Sequence, residues 1–206
     1  MKLIHHFSSL AFSNTYLIGP DEGGEAVLVD PGVMDIPLLK LIESNRLYPR
    51  HVLLTHLHKS HTDGLRTLEK IYDFTVYCSG NLKNRHSPCR PVTDGEELQL
   101  GEFSVRVIAV PGHSADSVAY LVGGHLFSGD ILAAGRLGST TTYQAKLMLI
   151  KGIEEKILPL PGETLLFPGH GPPSLLKAET AFNPVFNGAI AHSRFQQLQN
   201  RDDDED

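Results

Sequence analysis

Four times along the chain a short apolar run stops at a turn that carries a metal-capable side chain. The four stretches are LLTHLHKSH (53–61), VPGH (110–113), FSGD (127–130) and FPGH (167–170). Strand ends are rigid supports, so side chains projecting from several of them can converge on one point. Imidazole suits zinc, iron and related metals, and a carboxylate can bridge two cations. Each element has an ordinary explanation when taken alone. His56 and His58 are two apart and share a side of any extended segment, His113 reads equally well as a turn histidine, and Asp130 as a turn or cap residue. Five histidines and one aspartate at four strand ends are harder to explain by turns alone.

The rest of the composition restricts what such a cluster can serve. At 206 residues, with 41% hydrophobic and 20% charged residues, the chain can bury a real core without disulfide staples. The expected organisation is one domain over residues 1–200, followed by an acidic tail, 201–206, as a disordered, solvated end. One arginine and five acids in that tail account for most of the net charge of −6. The remaining body is nearly neutral and has no basic stripe, which argues against a nucleic-acid partner. Cys78 and Cys89 form neither a short metal-binding pair nor a secreted disulfide framework, and read as a buried strand residue and a loop residue. No apolar run approaches the length of a spanning helix, and His5 and His6 interrupt any leader-like start. The expectation is a cytoplasmic protein with no membrane partner.

Turn residues divide the chain into short elements. Strands are expected at 14–19, 26–30, 51–55, 75–78, 103–110 and 164–167, with a hairpin of 117–122 and 125–127 around Gly123-Gly124. Apolar spacing predicts helices over 36–46, about 61–71 and 141–158. A long polar connection is expected over 81–91. Strands and helices mixed within one domain predict an α/β or α+β layered sandwich.

The motifs together resemble the metallo-β-lactamase superfamily, and within it the small glyoxalase II-like hydrolases. That family carries T-H-x-H-x-D-H, P-G-H, G-D and P-G-H-G in this order. The chain has Thr55-His56-Leu57-His58-Lys59-Ser60-His61, Pro111-Gly112-His113, Gly129-Asp130 and Pro168-Gly169-His170-Gly171. Asn14-Thr15-Tyr16-Leu17, Val29-Asp30-Pro31-Gly32 and Phe182-Asn183-Pro184-Val185-Phe186 extend the resemblance over about residues 10–186. It implies a four-layer αββα sandwich with a metal site at one edge. By carry-over His56, His58 and His113 hold one metal, His61 and His170 a second, and Asp130 bridges both. The implied cofactor is one or two divalent ions, zinc first, with iron or manganese also suited. The implied activity is hydrolysis of a thioester or ester of a small molecule by metal-activated water.

Two positions depart from the family pattern. Ser60 stands where the family has a ligating aspartate, and a neutral hydroxyl is a poorer ligand than a carboxylate. Ser60 instead suits an N-cap with Asp63 three residues on, and Asp63 is also a candidate to replace the lost carboxylate. Ser139 stands where the family has an arginine, with Arg136 three positions earlier. The chain ends 36 residues after His170, short of the further helical segment by which glyoxalase II enzymes bind glutathione, so glutathione-specific recognition is not expected. The alternatives are a degenerate single-metal member with weak or no hydrolase activity, and a phosphodiesterase.

Overall fold

The computed structural model describes residues 1–80 and 89–187. The acidic tail expected at 201–206, and the end of the domain expected to reach residue 200, lie outside the described residues. A first sheet is built from β1 (Lys2–Ser8), β2 (Ser13–Gly19), β3 (Gly24–Val29), β4 (Leu47–Leu53), β5 (Thr75–Cys78) and β6 (Cys89–Pro91), paired in that order. The strands are antiparallel as far as β3 and parallel from β3 to β6. The parallel part needs crossovers. These are α1 (Ile36–Ser44) between β3 and β4, and α2 (Lys59–Thr62) with α3 (Leu65–Leu68) between β4 and β5. Asp35 starts α1 by accepting the Leu38 N–H on its side chain, and Pro37 lies in the first turn, where no intrahelical donor is lost.

A second sheet contains β7 (Glu97–Leu100), β8 (Phe103–Ala109), β9 (Val118–Val122) and β10 (His125–Gly129). The small hairpin β11 (Leu132–Ala133) and β12 (Arg136–Leu137) follows, then α4 (Tyr143–Lys156), β13 (Leu165–Pro168), β14 (Ser174–Leu175) and α5 (Leu176–Phe182). The sheet order is β14-β13-β10-β9-β8-β7, with β13 parallel to β10.

Three separate apolar clusters show the layering. Tyr16, Val27, Val29 and Leu53 of the first sheet meet Val105, Val107, Tyr120 and Phe127 of the second between the sheets. Leu17, Leu28 and Val52, on the opposite face of the first sheet, pack on Leu38, Ile42, Leu65 and Leu68 of the helices. Ile108, Leu126 and Leu166 on the outer face of the second sheet pack on Leu149 and Ile153 of α4. Alternate residues of β2 and β4 thus serve two different cores, as a period of two requires. Four layers have three interfaces, and the expected αββα sandwich is observed.

Several local expectations are corrected. The helix expected over about 61–71 is two short helices. They are separated at Asp63-Gly64, where the Gly64 N–H bonds the Pro31 carbonyl at 2.9 Å and a Cβ would lie 2.3 Å from that oxygen. Ser60 is not an N-cap: His58 occupies that position, and Asp63 is the C-cap of α2. Cys89 belongs to a strand, so part of the connection expected over 81–91 is the edge strand β6.

Candidate metal centre

The loops at one end of the two sheets bring the six motif residues together. His56 and His58 follow β4, His61 lies in α2, His113 follows β8, Asp130 follows β10 and His170 follows β13. Gly129 precedes Asp130 at φ 51°, in the left-handed region that glycine adopts at no steric cost. A Cβ there would also meet the Thr55 hydroxyl at 2.3 Å, so glycine lets β10 turn sharply beside the His56 strand end. A Cβ at Gly169 would lie 2.4 Å from the His61 ring and 2.7 Å from Asp130 Oδ1, inside the site itself.

Asp130 is the hub. Its Oδ2 lies 3.6 Å from His113 Nε2, 3.6 Å from His170 Nε2 and 4.0 Å from His56 Nε2, and its Oδ1 lies 3.6 Å from His61 Nε2. His58 Nδ1 completes the other side, 2.9 Å from His56 Nε2 and 3.0 Å from His113 Nε2. His56, His58 and His113 form one group able to hold an ion, and His56, His61 and Asp130 another. His170 reaches the centre through Asp130 and packs edge-on to the His61 ring at 5.2 Å.

The nitrogens facing away from the centre have partners of their own. His61 Nδ1 lies 3.0 Å from Asp30 Oδ2, His113 Nδ1 is 2.7 Å from the Ser139 carbonyl, His170 Nδ1 is 2.6 Å from the Phe12 carbonyl, and His56 Nδ1 is 3.1 Å from the Thr55 hydroxyl. Each contact fixes a ring so that its other nitrogen points inward, as metal-binding histidines require. Asp30 is itself held by the Thr55 N–H and hydroxyl, at 2.8 and 2.7 Å. Asp116 accepts the Leu57 N–H at 2.9 Å and fixes the turn between His56 and His58. Asn14 donates to the carbonyls of Pro168 and Gly171, at 2.9 and 2.8 Å, bracketing His170 from the first hairpin.

The electrostatics are those of a cation site. Burial and the neighbouring His61 push His56 down to about 3. Burial and then His113 lower His58. Burial also opposes charge on His61, but Asp30 and Asp130 outweigh it and raise its pKa to about 10. Burial opposes charge on Asp130 as well, yet His61 and then His170 hold its carboxyl well below the usual carboxylate range. At 3.6 Å, His61 Nε2 and Asp130 Oδ1 are too far apart for a hydrogen bond, and both are buried without a hydrogen-bond partner among the described residues. Buried polar atoms rarely stay unpartnered. An ion between them satisfies both, so the donors fit a divalent metal.

Ser60 occupies the first turn of α2. Its carbonyl accepts the Ser13 hydroxyl at 2.7 Å, which ties the helix to β2. Asp63 is exposed and belongs to neither ligand group, so it does not take the place of the family aspartate. Asp30, Thr55, Asp116 and Asn14 are the positioning residues that the sequence reading left without a role. The visible signal was an aspartate ending a strand before Pro31-Gly32, and Asp30 indeed sits at φ 50°.

A cavity of about 340 Å³ opens above the centre, lined by Asp130, His170, Arg136, Leu137 and Ser139 among others. Glu179 of α5, almost fully buried, accepts the Gly135 N–H at 3.0 Å, the Ser174 hydroxyl and the Asn183 amide. It thereby fixes the hairpin that carries Arg136 to the cavity. Arg136 is exposed and has no ion-pair partner among the described residues.

An αββα sandwich whose strand ends gather five histidines and an aspartate defines a metal-binding hydrolase scaffold. The sequence profile of the metallo-beta-lactamase superfamily matches residues 9–170, and the chain belongs to that superfamily. It is 31% identical over 198 residues to the probable metallo-hydrolase YqgX of Bacillus subtilis (strain 168), covering 85% of this chain and 93% of that one. It is 35% identical over 167 residues to a hydroxyacylglutathione hydrolase of Xanthomonas axonopodis pv. citri (strain 306), covering 78% of this chain but 62% of that relative's length. Among solved structures it is similar to TTHA1623 in a di-iron-bound form, with TM-score 0.70, 31% identity, and coverage of 84% and 94%. Among the described residues no helix is long and apolar enough to cross a membrane.

Proposed function

We propose that the protein is a metal-dependent hydrolase of a small-molecule thioester or ester, of the glyoxalase II-like type. The carrying observation is the pair of buried atoms His61 Nε2 and Asp130 Oδ1, without a hydrogen-bond partner among the described residues, beside a cavity of small-molecule size that Asp130 and His170 line. His56, His58 and His113 would hold one ion, His61 and His170 a second, and Asp130 would serve both. Zinc is the ion we propose, and iron and manganese suit the same donors. The bound ion would supply Lewis acidity and lower the pKa of water to near neutrality. The chain's own part is orientation. Asp30, Thr55 and the carbonyls of Ser139 and Phe12 hold the imidazoles in place, so no rearrangement is needed as charge develops on a substrate. Leu137 offers an apolar wall for an acyl group, and the guanidinium of Arg136, without an ion-pair partner among the described residues, offers an attachment for a substrate anion. A cytoplasmic location, without nucleic-acid or membrane partners, belongs to the same reading and rests on composition.

One observation favours a second reading, a single-metal protein with weak or no hydrolysis. Ser60 brings no carboxylate to the second subsite, and Asp63 does not replace it. Elemental analysis of protein purified without chelator, followed by assays on S-lactoylglutathione, generic thioesters and bis-p-nitrophenyl phosphate, separates the readings. About two metals per chain with thioester turnover supports the first. One metal and silence toward every substrate supports the second. Turnover of the phosphodiester alone would replace both.

A further inference from the structure

Cys78 ends β5 and Cys89 begins β6, two parallel neighbours in which Val76 lies opposite Cys89 and Cys78 opposite Pro91. The side chains lean toward each other across that pairing, and their sulfurs are 3.2 Å apart. Both cysteines are free thiols, with Cys78 buried and Cys89 half-buried. The Cys78 thiol also reaches the Gly80 carbonyl, at 3.2 Å. Packing alone explains Cys78, which fills the core under α1 and α3. It does not require a second sulfur in contact with the first.

We propose that Cys78 and Cys89 are a redox modification site, forming a reversible intramolecular disulfide that acts on the neighbouring His56-Leu57-His58 turn. The two cysteines are diagonal neighbours, whose Cα atoms stand roughly 7–8 Å apart in a sheet against the roughly 4.4–6.8 Å usual for a disulfide, so closing the 3.2 Å gap between the sulfurs draws the ends of β5 and β6 together. The half-exposed Cys89 is the one an oxidant can reach. Its thiolate attacks one oxygen of a hydroperoxide, an S–O bond forms, the O–O bond breaks and an alcohol or water leaves after protonation. The resulting Cys89 sulfenic acid then meets the Cys78 thiol. The S–S bond forms, the S–O bond breaks, and the departing hydroxide takes the Cys78 proton and leaves as water. Two electrons pass from the thiol pair to the peroxide, and a reducing dithiol reverses the step. Burial, with the neighbouring Cys89, pushes the Cys78 thiol up to about 12, so Cys78 is not the thiol that first attacks the peroxide.

The route to the metal centre is short. A Cβ at Gly80 would lie 2.6 Å from Leu57 Cδ1 and 2.9 Å from Asp116 Oδ2, so the chain just after Cys78 abuts the turn that Asp116 holds. Moving the Cys78 sulfur toward Cys89 takes it off the Gly80 carbonyl and disturbs that contact. The inference stands apart from the hydrolase reading, since neither thiol is a ligand of the centre.

The test treats metal-loaded full-length protein with hydrogen peroxide and follows intact mass, free thiols and metal affinity. The expected product is a monomer two hydrogens lighter, with both thiols lost, a severalfold change in metal affinity, and full reversal by dithiothreitol. Cys89→Ser and Cys89→Ala should each abolish the mass loss and the affinity change while keeping the unoxidised fold, checked by circular dichroism. Oxygen adducts on single cysteines, or covalent dimers without the mass loss, would overturn the proposal. A disulfide that forms with metal affinity unchanged would overturn its link to the histidine turn.

Discussion

Asp30 Oδ2 lies 3.0 Å from His61 Nδ1, and the same carboxylate is fixed by the N–H and hydroxyl of Thr55. One acid at the end of β3 therefore sets the ring of one ligand and the strand end that carries another. Replacing it with asparagine removes the negative charge and one of the two acceptor oxygens that His61 and Thr55 share, and so lowers the basicity of the inward nitrogen of His61. Loss of such an outer partner costs about 10–100-fold in metal affinity. Asp30→Asn should lose that much at the second subsite while His56, His58 and His113 keep their ion. Competition titration with a chelating dye measures both, and equal affinity to wild type at the second subsite would refute the role given to Asp30.

Ser60→Asp restores an anionic oxygen beside the second subsite. Hydrogen bonds to charged groups contribute roughly 1.5–3 kcal/mol, and a ligating carboxylate should gain at least that much. Metal occupancy should rise toward two per chain, with thioester turnover increased about tenfold or more. Elemental analysis and initial rates on one preparation check it, and a variant no better loaded than wild type would show that Ser60 is not what limits the site.

The pH behaviour of the metal-free protein follows from opposed shifts. His56, lowered to about 3, contributes stability that is present above the ordinary histidine value and is lost as pH falls from about 6.5 toward 3. His61, raised to about 10, contributes stability that is full below about 6.5 and is lost as pH rises to 10. The Tm of chelator-treated protein should therefore be highest near pH 6.5 and fall on both sides. Bound metal takes over the role of the His61 proton and should flatten the alkaline limb. Differential scanning calorimetry from pH 4 to 10 tests this, and an apo Tm constant between pH 7 and 10 contradicts the charged His61.

Arg136 touches neither ligand group and has no ion-pair partner among the described residues, so its charge is available at the cavity mouth. Arg136→Ala should raise KM about tenfold for a thioester bearing a carboxylate, with kcat within about twofold and metal content unchanged. A neutral thioester should show no such change. An equal loss on both substrates would assign Arg136 a structural role instead.

The cluster of candidate ligands was legible because His113, Asp130 and His170 each follow a glycine turn at the end of an apolar run, and His56, His58 and His61 crowd just after another such run, patterns local to a few residues. The layers were legible too, since strands such as Phe103–Ala109 alternate apolar and polar residues. What escaped was short or distant. Cys89–Pro91, Leu132–Ala133 and Ser174–Leu175 are strands of two or three residues, too brief to show a period, and β1 pairs at the sheet edge with polar His5 and His6 among its members. Ser60 resembled a cap because its local sequence suits one, but the helix begins at Lys59 with His58 in the cap position, which leaves Ser60 inside the first turn. Asp30 acts on residues 25 and 31 positions away, a relationship no local pattern carries.

The bracket on His170 has a consequence for the order of assembly. Its ring is held by the Phe12 carbonyl, 158 residues earlier, and its loop by Asn14. The three histidines of the first group all emerge by residue 113, well before the last ligand is synthesised. Contacts that join distant parts of a chain bear the larger entropy of loop closure. His170 can therefore take its place beside Asp130 only once the two ends of the chain have been brought together, which makes the cluster a reporter of complete folding.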